Sequence, residues 1–391
     1  MPLMLILSCA AFVSAFSIRM IDPLVPAIAR DFSIPIETAA LLASAFTFPY
    51  ALSQPILGPL GDAAGKERII KICLGVLTLA LVVATLASQL EFLFLARMIA
   101  GIAGGGIIPI AFAIIGDRFE MQERQVALSR MIMASQISIL MGSLGGGFVA
   151  ANYGWRWMFG VPAVFVLVVL LLALRNLKSP PGEIRQPLSI ARTRASYLEA
   201  LKSPYAAICL IGVFIGGCTM FGLTPFIAGR LERLQMGGLR ESGMIIGAMS
   251  IGGIIFTLLV RQLLARLGRV GLVRLGGAIL STALILYAFA TNWQQQALLF
   301  GFIGMGFFMM HNCLQALGVE LAPKARASGI SLMAFVFFLG QAAGPVVYSF
   351  AFSASGQRAP IVAAGVIFAL LSLWVSIRLS RLDRLPNAPQ A

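Results

Sequence analysis

Charge is what this sequence has least of: 11% of its 391 residues, with 15 acidic side chains and one histidine. Soluble globular chains are about a quarter charged, so this composition cannot cover a folded surface facing water. The lone histidine, and the lack of any His-Glu-x-x-His, Gly-x-Ser-x-Gly or phosphate-loop pattern, argue against an enzyme and against ATP-driven work by this chain. No catalytic residue is assigned. The five cysteines (Cys9, Cys73, Cys209, Cys218 and Cys313) fall in apolar runs without metal-ligand spacing. They read as small buried or lipid-facing side chains, and neither a metal site nor a cofactor is expected.

What is present is apolar: 59% of the chain is hydrophobic, enough to exclude disorder. Twelve stretches are long enough to span a bilayer, at 4–28, 38–61, 69–88, 92–116, 127–151, 157–174, 205–229, 242–265, 270–290, 295–319, 328–353 and 360–380. The predicted fold is an all-α membrane protein with no room for a soluble catalytic domain. The apolar N-terminus, without a small-residue cleavage site, reads as the first span and not as a removed signal peptide. The net charge of +14 raises the question of nucleic acid, but 21 of the 29 basic residues sit in alternate loops and the C-terminal tail, with 6 on the other side. That is a positive-inside bias, placing both termini in the cytoplasm of a multi-pass membrane protein, and basic residues divided among short loops do not make a nucleic-acid surface.

The loop at 175–203 carries six basic residues, adjacent Pro180 and Pro181, and no apolar run. It reads as a cytoplasmic linker between two six-helix bundles, 1–174 and 204–391. The halves look duplicated. PAIARDF from Pro26 is echoed by PFIAGRL from Pro225, an offset of 199; Gly65-Lys66 by Gly268-Arg269, an offset of 203; and Gly142-Ser143 by Gly344-Pro345, an offset of 202. Parallel repeats of this kind imply a pseudo-two-fold axis along the membrane normal, with a site between the halves.

Between spans 2 and 3 stands GPLGDAAGKER, Gly58 to Arg68. It resembles the signature of the major facilitator superfamily, Gly-x-Leu-Ala-Asp-Arg-x-Gly-Arg-Lys, through Gly58, Leu60, Asp62 and Gly65, with Lys66 replacing Arg. Ala63 and Glu67 depart from it, each standing where the family has a base. The resemblance implies a cytoplasmic latch in which Asp62 docks at the start of span 11 and Lys66 pairs with Asp117. Span 4, LFLARMIAGIAGGG, is similar to the family's Arg-x-x-Gln-Gly through Arg97 and Gly101. Span 1, SIRMIDPLVPAIARDF, resembles the Asp-x-x-x-Pro pattern of the family's drug:proton antiporter group. The glycines from Gly142 in span 5, and Gly344-Pro345 in span 11, are similar to the glycine-proline motif of its exporters, with Ser143 in place of the proline.

Asp22 and Arg19 are three residues apart, on one helix face, and Arg97 lies at similar depth in an antiparallel span. Burial raises a carboxylate's pKa and a nearby arginine lowers it, so an Arg–Asp contact that opens and closes can load and release a proton. A permanent ion pair bracing span 1 would look the same in sequence, and either arginine could be the partner. Tyr50, Gln54, Gln136, Phe221, Phe308, His311, Asn312 and Gln341 are the candidate cavity residues, a mostly apolar set suited to amphiphilic cargo. The implied protein is a monomeric secondary transporter, placed by resemblance in a bacterial inner membrane. It would export an amphiphilic small molecule in exchange for protons, driven by the proton gradient. Proton-coupled import of a metabolite is the alternative, and a membrane receptor or scaffold that transports nothing is a second.

Overall fold

The computed structural model describes residues 2–179, 190–322 and 326–382, and among them every regular element is helical. In chain order these are α1 (Pro2–Arg19), a 3-10 turn (Asp22–Leu24), α2 (Val25–Asp31), α3 (Ile36–Ala64), α4 (Lys66–Leu86), α5 (Leu90–Arg118), α6 (Met121–Tyr153), α7 (Trp157–Asn176) and α8 (Ile190–Leu201). There follow α9 (Ala206–Leu223), a second 3-10 turn (Thr224–Phe226), α10 (Ile227–Arg233), α11 (Leu239–Phe289), α12 (Trp293–Glu320), α13 (Arg326–Ser355) and α14 (Arg358–Leu382). Eleven stretches among the described residues are long and apolar enough to cross a membrane. One of them, α11, has 51 residues, more than twice the length of a span, and it is divided at Gly268, whose φ of 63° and ψ of 178° are not helical. The predicted spans 242–265 and 270–290 lie on either side of that glycine, so twelve crossings result.

The expected linker is not without regular structure. Its second part forms α8, which has too few apolar residues to register as a span yet buries Ala200. The chain divides into two compact units. The first comprises Met1–Ile190 with two short segments, Pro225–Gly229 and Gly238–Gly243; the second comprises Ala191–Thr224, Arg230–Gly237 and Met244–Ala391. In the first unit α1 packs along α6 and α5, α3 along α5, and α4 along α5 and α7. In the second, α9 packs along α13, with α12 and α14 against both.

The duplication is visible in the backbone, in a different register for the first span. Spans 1 and 7 both break from α-helix into a 3-10 turn, at Asp22–Leu24 and at Thr224–Phe226. Pro23 therefore corresponds to Pro225, an offset of 202, and the Pro26 to Pro225 correspondence read from sequence is wrong by three residues. A second proline at Pro26 made the false match. The same offset relates the two non-glycine residues with positive φ among the described residues, Ser33 at 53° and Gln235 at 55°. Gly142 and Gly344 are also 202 apart and occupy equivalent crossings. A Cβ on Gly142 would lie 3.3 Å from the Phe16 carbonyl oxygen, and one on Gly344 would lie 2.6 Å from the Cα of Gly222. The α9–α13 crossing is thus the tighter, two backbones in contact with no side chain between.

Candidate functional site

Helix α1 ends at Arg19 because Pro23 and Pro26 supply no N–H to continue the ladder. Carbonyls in the last turn of a helix have no partner within it, and in a membrane they must find one elsewhere. Ser17 in that turn finds Arg97: the Arg97 Nη1 donates to the Ser17 carbonyl at 2.9 Å. Its Nε donates to the Leu42 carbonyl of α3 at 3.3 Å. The guanidinium lies 4.3 Å from the centroid of the Phe46 ring. Gly101, one turn further along α5, permits this closeness, since any Cβ there would collide with the Phe46 carbonyl. A guanidinium at a helix C-terminus meets the negative end of the dipole, and its contact with a desolvated ring adds about 2 kcal/mol.

Arg19 and Asp22 flank the break, with Arg19 Nη1 at 3.7 Å from Asp22 Oδ2. Arg97 also interacts electrostatically with Asp22. All three are buried, at 6%, 0% and 1% exposure for Arg19, Asp22 and Arg97. Of the two candidate partners, Arg19 makes the ion-pair contact, while Arg97 is committed chiefly to carbonyls and ring. The Arg97 Nη2 has no hydrogen-bond partner among the described residues. The cluster holds two guanidiniums and one carboxylate, a formal charge of +1 with Asp22 ionised. Burying an arginine at a span's centre costs about 2.5–3.5 kcal/mol on insertion scales, which restricts such groups to sites of use or of strong compensation.

Behind the charges stands a second polar layer in the same unit. Ser14 Oγ donates to the Gly104 carbonyl at 2.9 Å. The Tyr50 hydroxyl shares hydrogen bonds with the side chains of Ser14 and Gln54. Tyr50 and Gln54 are buried, whereas Gln136 on α6 is exposed. In the second unit Phe221, Phe307, His311 and Phe337 form one aromatic cluster. His311 stacks on Phe307 with centroids 5.1 Å apart, lies 4.7 Å from Phe337, and Phe221 meets Phe307 edge-on at 5.5 Å. Phe308 packs edge-on against Phe307 at 5.4 Å and Gln341 is buried near Gly217, whereas Asn312 is exposed.

The units are alike in backbone and unlike in charge. At the offset of 202 Thr224 stands for Asp22; Gly101 against the Phe46 carbonyl is matched by Gly304 against the Met249 carbonyl, an offset of 203 that puts buried Phe300 in the place of Arg97. Sequence reading did not single out Phe307 and Phe337, and it left Arg230 outside span 205–229 although that side chain is 3% exposed. Arg230 Nη2 donates to the Ala288 carbonyl at 2.9 Å and so caps the end of α11. Its signal was the apolar run PFIAG immediately before it.

At the end of the first unit where the basic loops lie, Lys66 Nζ contacts Asp117 Oδ2 at 2.5 Å and Asp62 Oδ1 at 3.1 Å. The Lys66–Asp117 pairing is the one the motif implied. Asp62, which the motif implied docks at the start of span 11, is held within its own unit by Lys66. Gly65 makes the turn with a φ of 99°. Gly58 does not belong to a tightly packed turn: it lies inside α3, and a Cβ there would meet nothing within 4 Å. Pro345 is accommodated within α13 without ending the helix.

Residues 7–345 match the model of the Major Facilitator Superfamily, and the chain belongs to that family. It is 27% identical over 257 residues to an uncharacterised MFS-type transporter, YwfA of Bacillus subtilis, covering 64% of this chain and 61% of that protein. It is 26% identical to the multidrug export protein EmrB of Haemophilus influenzae, covering 48% of this chain and 37% of that protein. The chain thus spans less than two thirds of either relative. Among solved structures, an inward-facing, unoccupied bacterial homologue of the human lysosomal transporter Spinster shares the fold, with a TM-score of 0.79 over 99% of this chain and 98% of that one at 18% identity. The protein is a multi-pass membrane protein of this superfamily.

Proposed function

We propose that this transporter exports an amphiphilic small molecule in exchange for protons by alternating access, with Asp22 as the proton carrier and Arg19 and Arg97 as its counter-charges. One observation carries the reading: a fully buried carboxylate between two buried guanidiniums, at a break in a membrane helix. A group that couples a proton to a conformational cycle must change charge where charge is expensive. Protonating Asp22 raises the cluster from +1 to +2 and removes the only counter-charge that Arg19 contacts within this cluster. The two guanidiniums then repel, and the break at Asp22–Leu24 is a point at which α1 can turn without losing a continuous ladder. Return of the carboxylate to its ionised form restores the pair. A proton crossing about 100 mV supplies about 2.3 kcal/mol, enough for roughly a fifty-fold cargo gradient.

Cargo suited to this exchange offers apolar surface to rings such as Phe221 and Phe308. The export direction is supported by likeness to a multidrug export protein, and the positive-inside bias of the loops supports cytoplasmic termini. A second reading is favoured by the two-to-one ratio of arginine to carboxylate. A cargo carboxylate that took the arginines from Asp22 would promote its protonation, and proton and cargo would then move together.

Asp22→Asn tests the reading. The variant is expected to lose gradient-driven transport by at least a hundred-fold while one-for-one exchange of cargo across vesicles persists. Driven transport at the wild-type rate in the variant would make Asp22 a brace and overturn the assignment.

A further inference from the structure

Glu67 stands where the family signature has a base, and its surroundings show what the acid does. Its carboxylate is 3% exposed at the start of α4. Arg118, at the last residue of α5, places Nη2 at 2.5 Å from Glu67 Oε1. The same Nη2 donates to the Lys178 carbonyl at 2.6 Å. Ser179 Oγ donates to Glu67 Oε2 at 3.2 Å. Leu177, just before them, is buried at 1% exposure and donates its N–H back to Ala173 as α7 ends. Three consecutive residues past α7 are therefore tied down, by one buried side chain, one backbone acceptor and one hydroxyl.

Next to this pair lies Lys66–Asp117, joining the same two helices with half-exposed carboxylates at Asp62 and Asp117. The neighbouring pairs do different work. Lys66 joins helix to helix, whereas Glu67 and Arg118 also reach the chain that leaves the unit. We propose that Glu67 and Arg118 form an anchor for the linker, fixing its first residues to the α4–α5 corner. With the anchor closed, the linker is held to the α4–α5 corner as far as residue 179; with it open, the chain is held only as far as the end of α7 at residue 176. The difference is three residues, or about 10 Å of reach at 3.3–3.6 Å per residue. In a carrier whose units move against each other, the length of the tether sets how far this end can part, and the anchor shortens it. Glu67 and Arg118 are positioning residues on this account and touch no cargo.

The bond after Lys178 reports the state of the anchor, because trypsin must draw that carbonyl into an extended strand to cut it. Purified full-length protein in lipid nanodiscs is treated with trypsin, and the rate of cutting after Lys178 is followed by mass spectrometry. Glu67→Gln and Arg118→Gln are expected to raise that rate ten- to hundred-fold, the range for loss of charge-assisted hydrogen bonds that hold a segment closed. Ser179→Ala, an exposed change that leaves the helices untouched, is expected to raise it by about three-fold. Lys66→Gln, which opens the neighbouring pair alone, is expected to leave it within two-fold. Unchanged rates in the Glu67 and Ser179 variants would overturn the anchor. So would equal acceleration by Lys66→Gln, because the corner would then be a single unit with no part dedicated to the linker.

Discussion

Arg97 serves four neighbours at once, and each responds differently to its replacement. Arg97→Ala opens the Ser17 and Leu42 carbonyls, uncovers the Phe46 ring and takes one counter-charge from Asp22. Transport is expected to fall by at least a hundred-fold, with a lower melting temperature besides, because an open carbonyl in a dry site costs about 1–3 kcal/mol. Arg97→Lys keeps a cation but cannot donate in two directions while lying flat on a ring, and a partial rate is expected, between one tenth and one half of wild type. Transport assays on both variants, with melting curves alongside, check the ordering. The charged residues of this site were legible in sequence because an arginine or aspartate inside an apolar run is costly enough to mark itself. Their division of labour was not. Whether Arg19 or Arg97 faces Asp22 depends on where α1 breaks and how close α5 approaches α3, and a pattern of residue types contains neither distance. Arg230 shows the complementary failure, since an arginine near the end of a span looks like a loop residue until α11 supplies a carbonyl for it to cap.

Helices of this protein meet through missing side chains, and the contacts rank them. Gly344 touches the backbone of Gly222 across the α9–α13 crossing, whereas Gly58 in α3 faces open space. Gly344→Val is expected to prevent that approach and lower the melting temperature by 5 °C or more or abolish folded yield, while Gly58→Ala leaves it unchanged or raises it, because alanine is favoured over glycine inside a helix by about 0.5–1 kcal/mol. Thermal unfolding followed by tryptophan fluorescence checks both. The signature motif alone would have ranked these glycines the other way. Twelve spans were legible at this scale, since length and hydropathy suffice for them. The offset of the first repeat was misread because two prolines three residues apart, Pro23 and Pro26, compete for one match, and only the backbone turns at Asp22–Leu24 and Thr224–Phe226 choose between them. The helix α8 was missed for a plain reason: twelve residues with few apolar side chains give no membrane signal.

Across the whole molecule the two units repeat a backbone and differ in the side chains buried at corresponding positions. The first keeps a buried acid and two buried bases; the second has Thr224 and Phe300 in the places of Asp22 and Arg97, and an aromatic cluster around Phe307. Duplication supplies two bundles of similar backbone, and substitution at a few positions leaves the arginine–aspartate cluster in one of them. That asymmetry is what joins proton coupling to amphiphilic cargo in the proposed cycle. The central claim is that cargo and protons move in opposite directions through a cycle that needs Asp22. The most direct test uses purified protein in liposomes with a pH-sensitive dye inside and an imposed proton gradient. Antibiotics, organic dyes and organic acids are added one at a time, with Asp22→Asn liposomes in parallel. The account predicts that at least one compound drives protons the opposite way to its own movement, and that the signal vanishes with Asp22→Asn. Protons moving with the compound, or a signal that survives in the Asp22→Asn liposomes, would contradict it.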